Sequence, residues 1–72
     1  MKRLREWRLR RFLTQRDLAE RVGVPYQTVQ RWENGTSFPR PGHLRRLSEV
    51  LEASFDELVT PEEWQAHRSK GD

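Results

Sequence analysis

The chain contains no cysteine, so it can build neither a disulfide framework nor a thiolate metal site. No apolar run approaches the roughly 20 residues of a membrane-spanning helix, and no signal-peptide core follows the basic start. A soluble, cytoplasmic protein is therefore expected. The two histidines, His43 and His67, fall in different segments without a Cys, His or carboxylate at ligand spacing. Metal binding is not expected from them, no cofactor is called for, and His43 is expected at the surface. No grouping of Ser, His and Asp has a common site and no glycine-rich loop could cradle phosphate, which argues against an enzyme. At 72 residues the chain makes one small domain, too short for a second ligand-binding or dimerisation domain. So small a core must be packed well or shared with a second subunit.

Three tryptophans and three phenylalanines supply much of that core, because each buries a large area. Charge is the more telling property. The net +3 hides an asymmetry: Met1 to Arg46 carries twelve Lys/Arg against four acids, whereas Leu47 to Asp72 carries two against seven. A basic first part and an acidic second part suggest one surface for a polyanion and another for something else. The competing explanation is a solvated, mixed-charge surface of the kind common in thermostable proteins.

The most informative stretch is Thr14 to Gly35, TQRDLAERVGVPYQTVQRWENG. Leu18, Ala19 and Val22 share one face of a short helix, and Val29 and Trp32 do the same for the next. Between them Gly23 can take the left-handed conformation that ends a helix, and Pro25 suits the first turn of the following one. Thr14 is an N-cap, with Asp17 completing a capping box. Two helices of about eight residues joined so tightly must cross steeply, as in a helix-turn-helix. Tyr26, Gln27, Thr28, Gln30 and Arg31 then occupy faces that the apolar stripe does not use. The alternative for this polar set is a merely solubilising face.

LTQRDLAERVGV followed by PYQTVQRWENG resembles the helix-turn-helix of the lambda repressor/Cro-like family, also called the XRE family. HLRRLSEVLEASFDELV is similar to its fourth and fifth helices, so the likeness runs from Leu4 to Val59. It implies an all-α, compact five-helix bundle with the helix-turn-helix at helices two and three. Residues 1–59 form the DNA-binding domain and 60–72 a short extension, partly helical and then frayed from Ser69. By motif position Tyr26, Gln27 and Arg31 correspond to the family's base-contacting side chains, with Thr28 and Gln30 as secondary candidates at the groove edge or on the backbone. A glutamine can present its amide to adenine N6 and N7, and an arginine can donate twice to guanine O6 and N7. Tyr26 could meet a thymine methyl or a phosphate. Gln15 matches the family's phosphate-contacting glutamine, or is simply an exposed helix former. Arg16, Asn34 and Arg40 are further phosphate candidates. Arg8 matches an arginine that pairs with the glutamate ending the recognition helix, here Glu33; otherwise both face water.

The sequence departs from the family at three places. Phe12 and Glu52 stand where glycine is usual, and a rebuilt bend is expected at Phe12. Pro25 stands where a serine or threonine is common, losing an amide donor and a capping hydroxyl. Elsewhere Leu4, Trp7 and the aliphatic stem of Arg11 make a stripe along the first helix, while Leu9 and Phe12 fit it less well. Phe38 is expected to pack back on the core. Thr60-Pro61-Glu62-Glu63 signals one further helical turn or two, carrying Trp64 either onto the core or into a dimer contact. Together these features imply a sequence-specific regulator of transcription, more readily a repressor, bound to double-stranded DNA as a nucleoid-associated homodimer on a pseudo-palindromic operator. The competing functions are a protein-interaction role, such as an antitoxin-type regulator binding a toxin or polymerase subunit, and single-strand or RNA binding.

Overall fold

In the computed structural model, residues 1–70 are described. Six helices follow one another: α1 (Leu4–Arg10), α2 (Gln15–Val22), α3 (Tyr26–Asn34), α4 (Pro41–Leu51), α5 (Phe55–Leu58) and α6 (Pro61–Lys70). The all-α expectation holds, with α6 longer than expected. α2 packs against α3 and α4, α1 against α3, and α4 against α5. Their inward faces meet in one core whose buried members include Leu4, Leu18, Val29, Trp32, Leu47, Leu51 and Leu58. Each such leucine contributes about 1.5–3 kcal/mol by leaving water.

Local chemistry sets where these helices begin and end. Thr14 accepts from the Asp17 amide while Asp17 accepts from the Thr14 amide, a reciprocal box that starts α2. Ser54 with Glu57 repeats it at α5. At α6, Thr60 N donates to Glu63 Oε1 at 3.0 Å and Glu63 N donates to Thr60 Oγ1 at 3.2 Å. α2 ends at Gly23 with φ 87°, and α3 ends at Gly35 with φ 83°. A Cβ at either glycine would meet open space, so backbone conformation alone accounts for them. Pro25 is the N-cap of α3 rather than its first residue, with φ −63° and ψ 149°, and its carbonyl accepts from Thr28 N at 2.9 Å. Arginine side chains close two other helix ends. Arg11 Nε donates to Leu51 O at 2.7 Å at the end of α4, and Arg46 Nε to Arg21 O at 3.0 Å near the end of α2. A cation there also meets the negative end of the helix dipole.

Several expectations are corrected. The bend at Phe12 is not rebuilt. Phe12 takes the left-handed conformation at φ 58°, with its side chain 94% exposed. Glu52 does the same at φ 53° as the cap of α4. α6 does not stop after two turns but runs through Ser69 to Lys70; Gly71 and Asp72, also expected to fray, lie outside the described residues. His43 is half-buried, its ring 5.7 Å from that of Trp32, rather than a surface residue. Trp64 packs edge-on to Phe55 at 5.2 Å and near Phe38 at 6.3 Å, still 36% exposed.

A left-handed L-residue costs roughly 1–2 kcal/mol, part of which the greater chain entropy of unfolded glycine offsets. Phe12→Gly removes that strain and sacrifices almost no buried surface. It should stabilise the domain by about 1 kcal/mol, raising Tm by roughly 4–8 °C in thermal denaturation. An unchanged or lower Tm would mean that the Phe12 ring contributes packing that its exposure does not reveal.

Candidate nucleic-acid interface

The α2–turn–α3 unit is held from behind by one carboxylate. Arg8 Nε donates to Glu33 Oε2 at 2.6 Å and Arg8 Nη2 to Glu33 Oε1 at 3.3 Å. Gln15 Nε2 adds a third bond to Glu33 Oε1 at 3.0 Å, and Arg8 Nη1 donates to Leu13 O at 2.9 Å. Both charged side chains are more than nine-tenths buried. α1, the α1–α2 turn, α2 and α3 are thus tied at one point, which fixes how α3 is presented. No buried side-chain nitrogen or oxygen among the described residues lacks a partner.

The outer face of α3 is polar and open. Gln27, Gln30 and Arg31 are exposed, and Tyr26 and Thr28 are half-buried. Gln27 and Arg31 are four residues apart and therefore lie one above the other. Arg31 makes no ion pair among the described residues. Tyr26 packs against the core, and the Arg16 guanidinium lies 4.0 Å from its ring centroid. Arg16 and Tyr26 therefore present themselves as one stacked unit joining α2 to α3. This pairing was not legible from the sequence, where the two residues had separate roles.

At the start of α2 the capping box consumes the Asp17 amide, leaving the Gln15 and Arg16 amides as the donors that point outward. The Thr14 amide, with a smaller contribution from its hydroxyl, holds the Asp17 carboxyl below its ordinary range, so the box stays ionised at neutral pH. Asn34 Oδ1 accepts from Thr36 N at 3.0 Å and Thr36 Oγ1 at 2.6 Å, which turns its amide nitrogen outward. Arg40 is exposed at the N-cap of α4. Gln15 and Asn34, both expected on phosphates, and Gln30, a secondary candidate on α3, line a single notch together with Lys2, Arg5 and Glu33. Lys2, in the segment before α1, and Arg5, on α1, reach this notch only through the fold, and no feature of the sequence around them signals it. No group of His, Cys, Asp and Glu among the described residues could hold a metal ion. No described helix is long and apolar enough to cross a membrane.

Comparison with known proteins agrees with this geometry. A family model described as "Helix-turn-helix" matches residues 4–58. The HTH-type transcriptional activator BcrR of Enterococcus faecalis is 33% identical over 61 residues, covering 85% of this chain. The chain spans 30% of that relative's length. No solved structure matches significantly. With three-quarters of its length in that match and α2 and α3 crossing at a tight glycine turn, the chain belongs to the helix-turn-helix family of the lambda repressor/Cro-like, or XRE, type.

Proposed function

We propose that this chain is a sequence-specific, double-stranded-DNA-binding regulator of transcription that inserts α3 into the major groove. The observation that carries the reading is the exposed Gln27–Arg31 stripe on a helix anchored from behind by the buried Arg8–Glu33 pair. Bases are read by Gln27 and Arg31, with Tyr26 and Thr28 at the edge of the contact. Gln15, Arg16, Asn34 and Arg40 position the helix on phosphates. The protein acts as a homodimer on a pseudo-palindrome, using α5, α6 and the acidic C-terminal part so that the basic face stays open. The partly exposed Phe55 and Trp64 support that choice of dimer surface. A domain lying over a promoter blocks polymerase, which favours repression. The relative is named an activator and extends well beyond the matched region.

The test is selection of bound duplexes from a random pool, followed by salt titration of the selected sequence. The expected motif has two inverted half-sites about one helical turn apart. Each neutralised phosphate contributes about −0.9 to the slope of log K against log salt. A dimer making six or more such contacts should therefore lose roughly 1,000-fold in affinity between about 50 and 200 mM salt. A pool without enrichment, or a flat salt response, would overturn this reading in favour of a protein partner for the acidic face.

A further inference from the structure

A second concave site lies between α4, α5 and α6. It is a groove of about 310 Å³ whose walls come from these helices and the α3–α4 loop, and none of its lining residues is among those assigned above to bases or phosphates. Pro39 is fully buried and Pro41 opens α4, so two of its walls have no side-chain rotamers to lose. Trp64 stands edge-on to Phe55 at 5.2 Å, and His67 stacks on Phe38 at 4.3 Å. Phe55 nevertheless remains 40% exposed and Trp64 36%. Aromatic surface is thus left open in a recess whose shape is largely set before anything enters it.

The charge of the groove runs against that of its surroundings. Leu47 to Asp72 carries seven acids against two bases, yet no carboxylate lines the groove, whereas Arg45 and His67 do. Arg45 is exposed and forms no ion pair among the described residues. Ser48 is already engaged, its hydroxyl donating to the Ala53 carbonyl. The Arg45 guanidinium is therefore the charged group free to fix a ligand, and its planar fork matches a carboxylate through two parallel hydrogen bonds. At about 310 Å³ the groove stands at the lower end of small-molecule sites, which span about 300–1,000 Å³. It suits one or two fused rings and is too small for a helix, which is about 10–12 Å across.

We propose that this groove binds a small, flat aromatic carboxylate, with its rings against Trp64 and Phe55 and its carboxylate on the Arg45 guanidinium. The binding is independent of the duplex-reading function proposed above. Phe55 and Trp64 also belong to the face assigned there to the dimer, so a second copy of the chain is the competing occupant.

The probe is 2-naphthoate, titrated into the full chain and followed through the NMR signals of the Trp64 indole and the Phe55 ring. Both should shift with a Kd of about 0.1–1 mM, the range for a ligand of this size. The neutral isostere 2-naphthylmethanol should bind about tenfold more weakly, and acetate, which has no ring, should shift neither signal. Arg45→Gln should keep the wild-type Tm, because the side chain is exposed and has no ion pair among the described residues. It should bind 2-naphthoate about tenfold more weakly and 2-naphthylmethanol as wild type does. Trp64→Leu should weaken both probes alike. No shift up to about 5 mM 2-naphthoate, equal wild-type affinity for acid and alcohol, or undiminished binding of the acid by Arg45→Gln would each overturn the site. Signals of Trp64 and Phe55 that move with protein concentration alone, and not with 2-naphthoate, would give the groove to a second copy instead.

Discussion

Glu33→Ala should cost about 3–5 kcal/mol of stability, the largest effect expected of any single change to a polar residue here. The carboxylate is 8% exposed and its partner Arg8 9% exposed. Removing Glu33 leaves the Arg8 guanidinium buried with the Leu13 carbonyl as its remaining partner, and leaves the Gln15 amide without its acceptor. A stranded buried charge is far more costly than the intact pair is favourable, because the pair has already absorbed the desolvation of both groups. Against a total stability of about 5–15 kcal/mol for a folded domain, such a loss should lower Tm by roughly 15–30 °C. Thermal unfolding followed by circular dichroism measures it.

The same reasoning predicts the opposite for a matched replacement. Arg8→Met with Glu33→Leu removes both charges together, so most of the lost stability should return. Comparing the two separates the strength of the pair from the cost of breaking it. If Glu33→Ala costs less than about 1 kcal/mol, the carboxylate is reached by water and cannot be what anchors α3.

Much of this domain could be read from the chain because its decisive signals are local. Thr14 with Asp17, Gly23, Gly35 and Ser54 with Glu57 mark helix ends through hydrogen bonds or φ values that span a few residues. The apolar stripes of α2, α3 and α4 follow from helical periodicity. What escaped depends on distances across the fold. Gln15 bonding to Glu33, Arg16 stacking on Tyr26 and Arg11 closing α4 each join residues at least ten positions apart. No pattern in the sequence announces them.

Phe12 and Glu52 illustrate a different limit. Local preference argues against left-handed backbone at both, yet the helices they connect must turn there, and packing of Leu4, Leu13 and Leu51 outweighs the strain. The length of α6 was under-read for the converse reason. Only Trp64 and Ala66 interrupt its polar run, so periodicity is weak, and its start is set by the Thr60–Glu63 box. The notch is the extreme case, since its walls are drawn from positions 2, 5, 15, 30, 33 and 34.

Arg31→Ala should abolish discrimination at one guanine while leaving affinity for unrelated duplexes nearly intact. Arg31 is exposed on α3, one turn beyond Gln27, and no carboxylate among the described residues competes for its guanidinium. A bidentate contact to O6 and N7 is worth about 1–3 kcal/mol of discrimination, or roughly 5–150-fold between the correct and the substituted base pair. Arg31→Lys sharpens the argument, because it keeps the charge and discards the planar fork. A phosphate contact tolerates that exchange, since a point charge suffices. A base contact does not, so Arg31→Lys should resemble Arg31→Ala in its base preferences while keeping the wild-type salt slope. Competition binding against duplexes varied at each position measures both quantities. Equal weakening on every sequence after Arg31→Ala, with recovery in Arg31→Lys, would place Arg31 on the backbone and leave Gln27 to carry the reading of this helix.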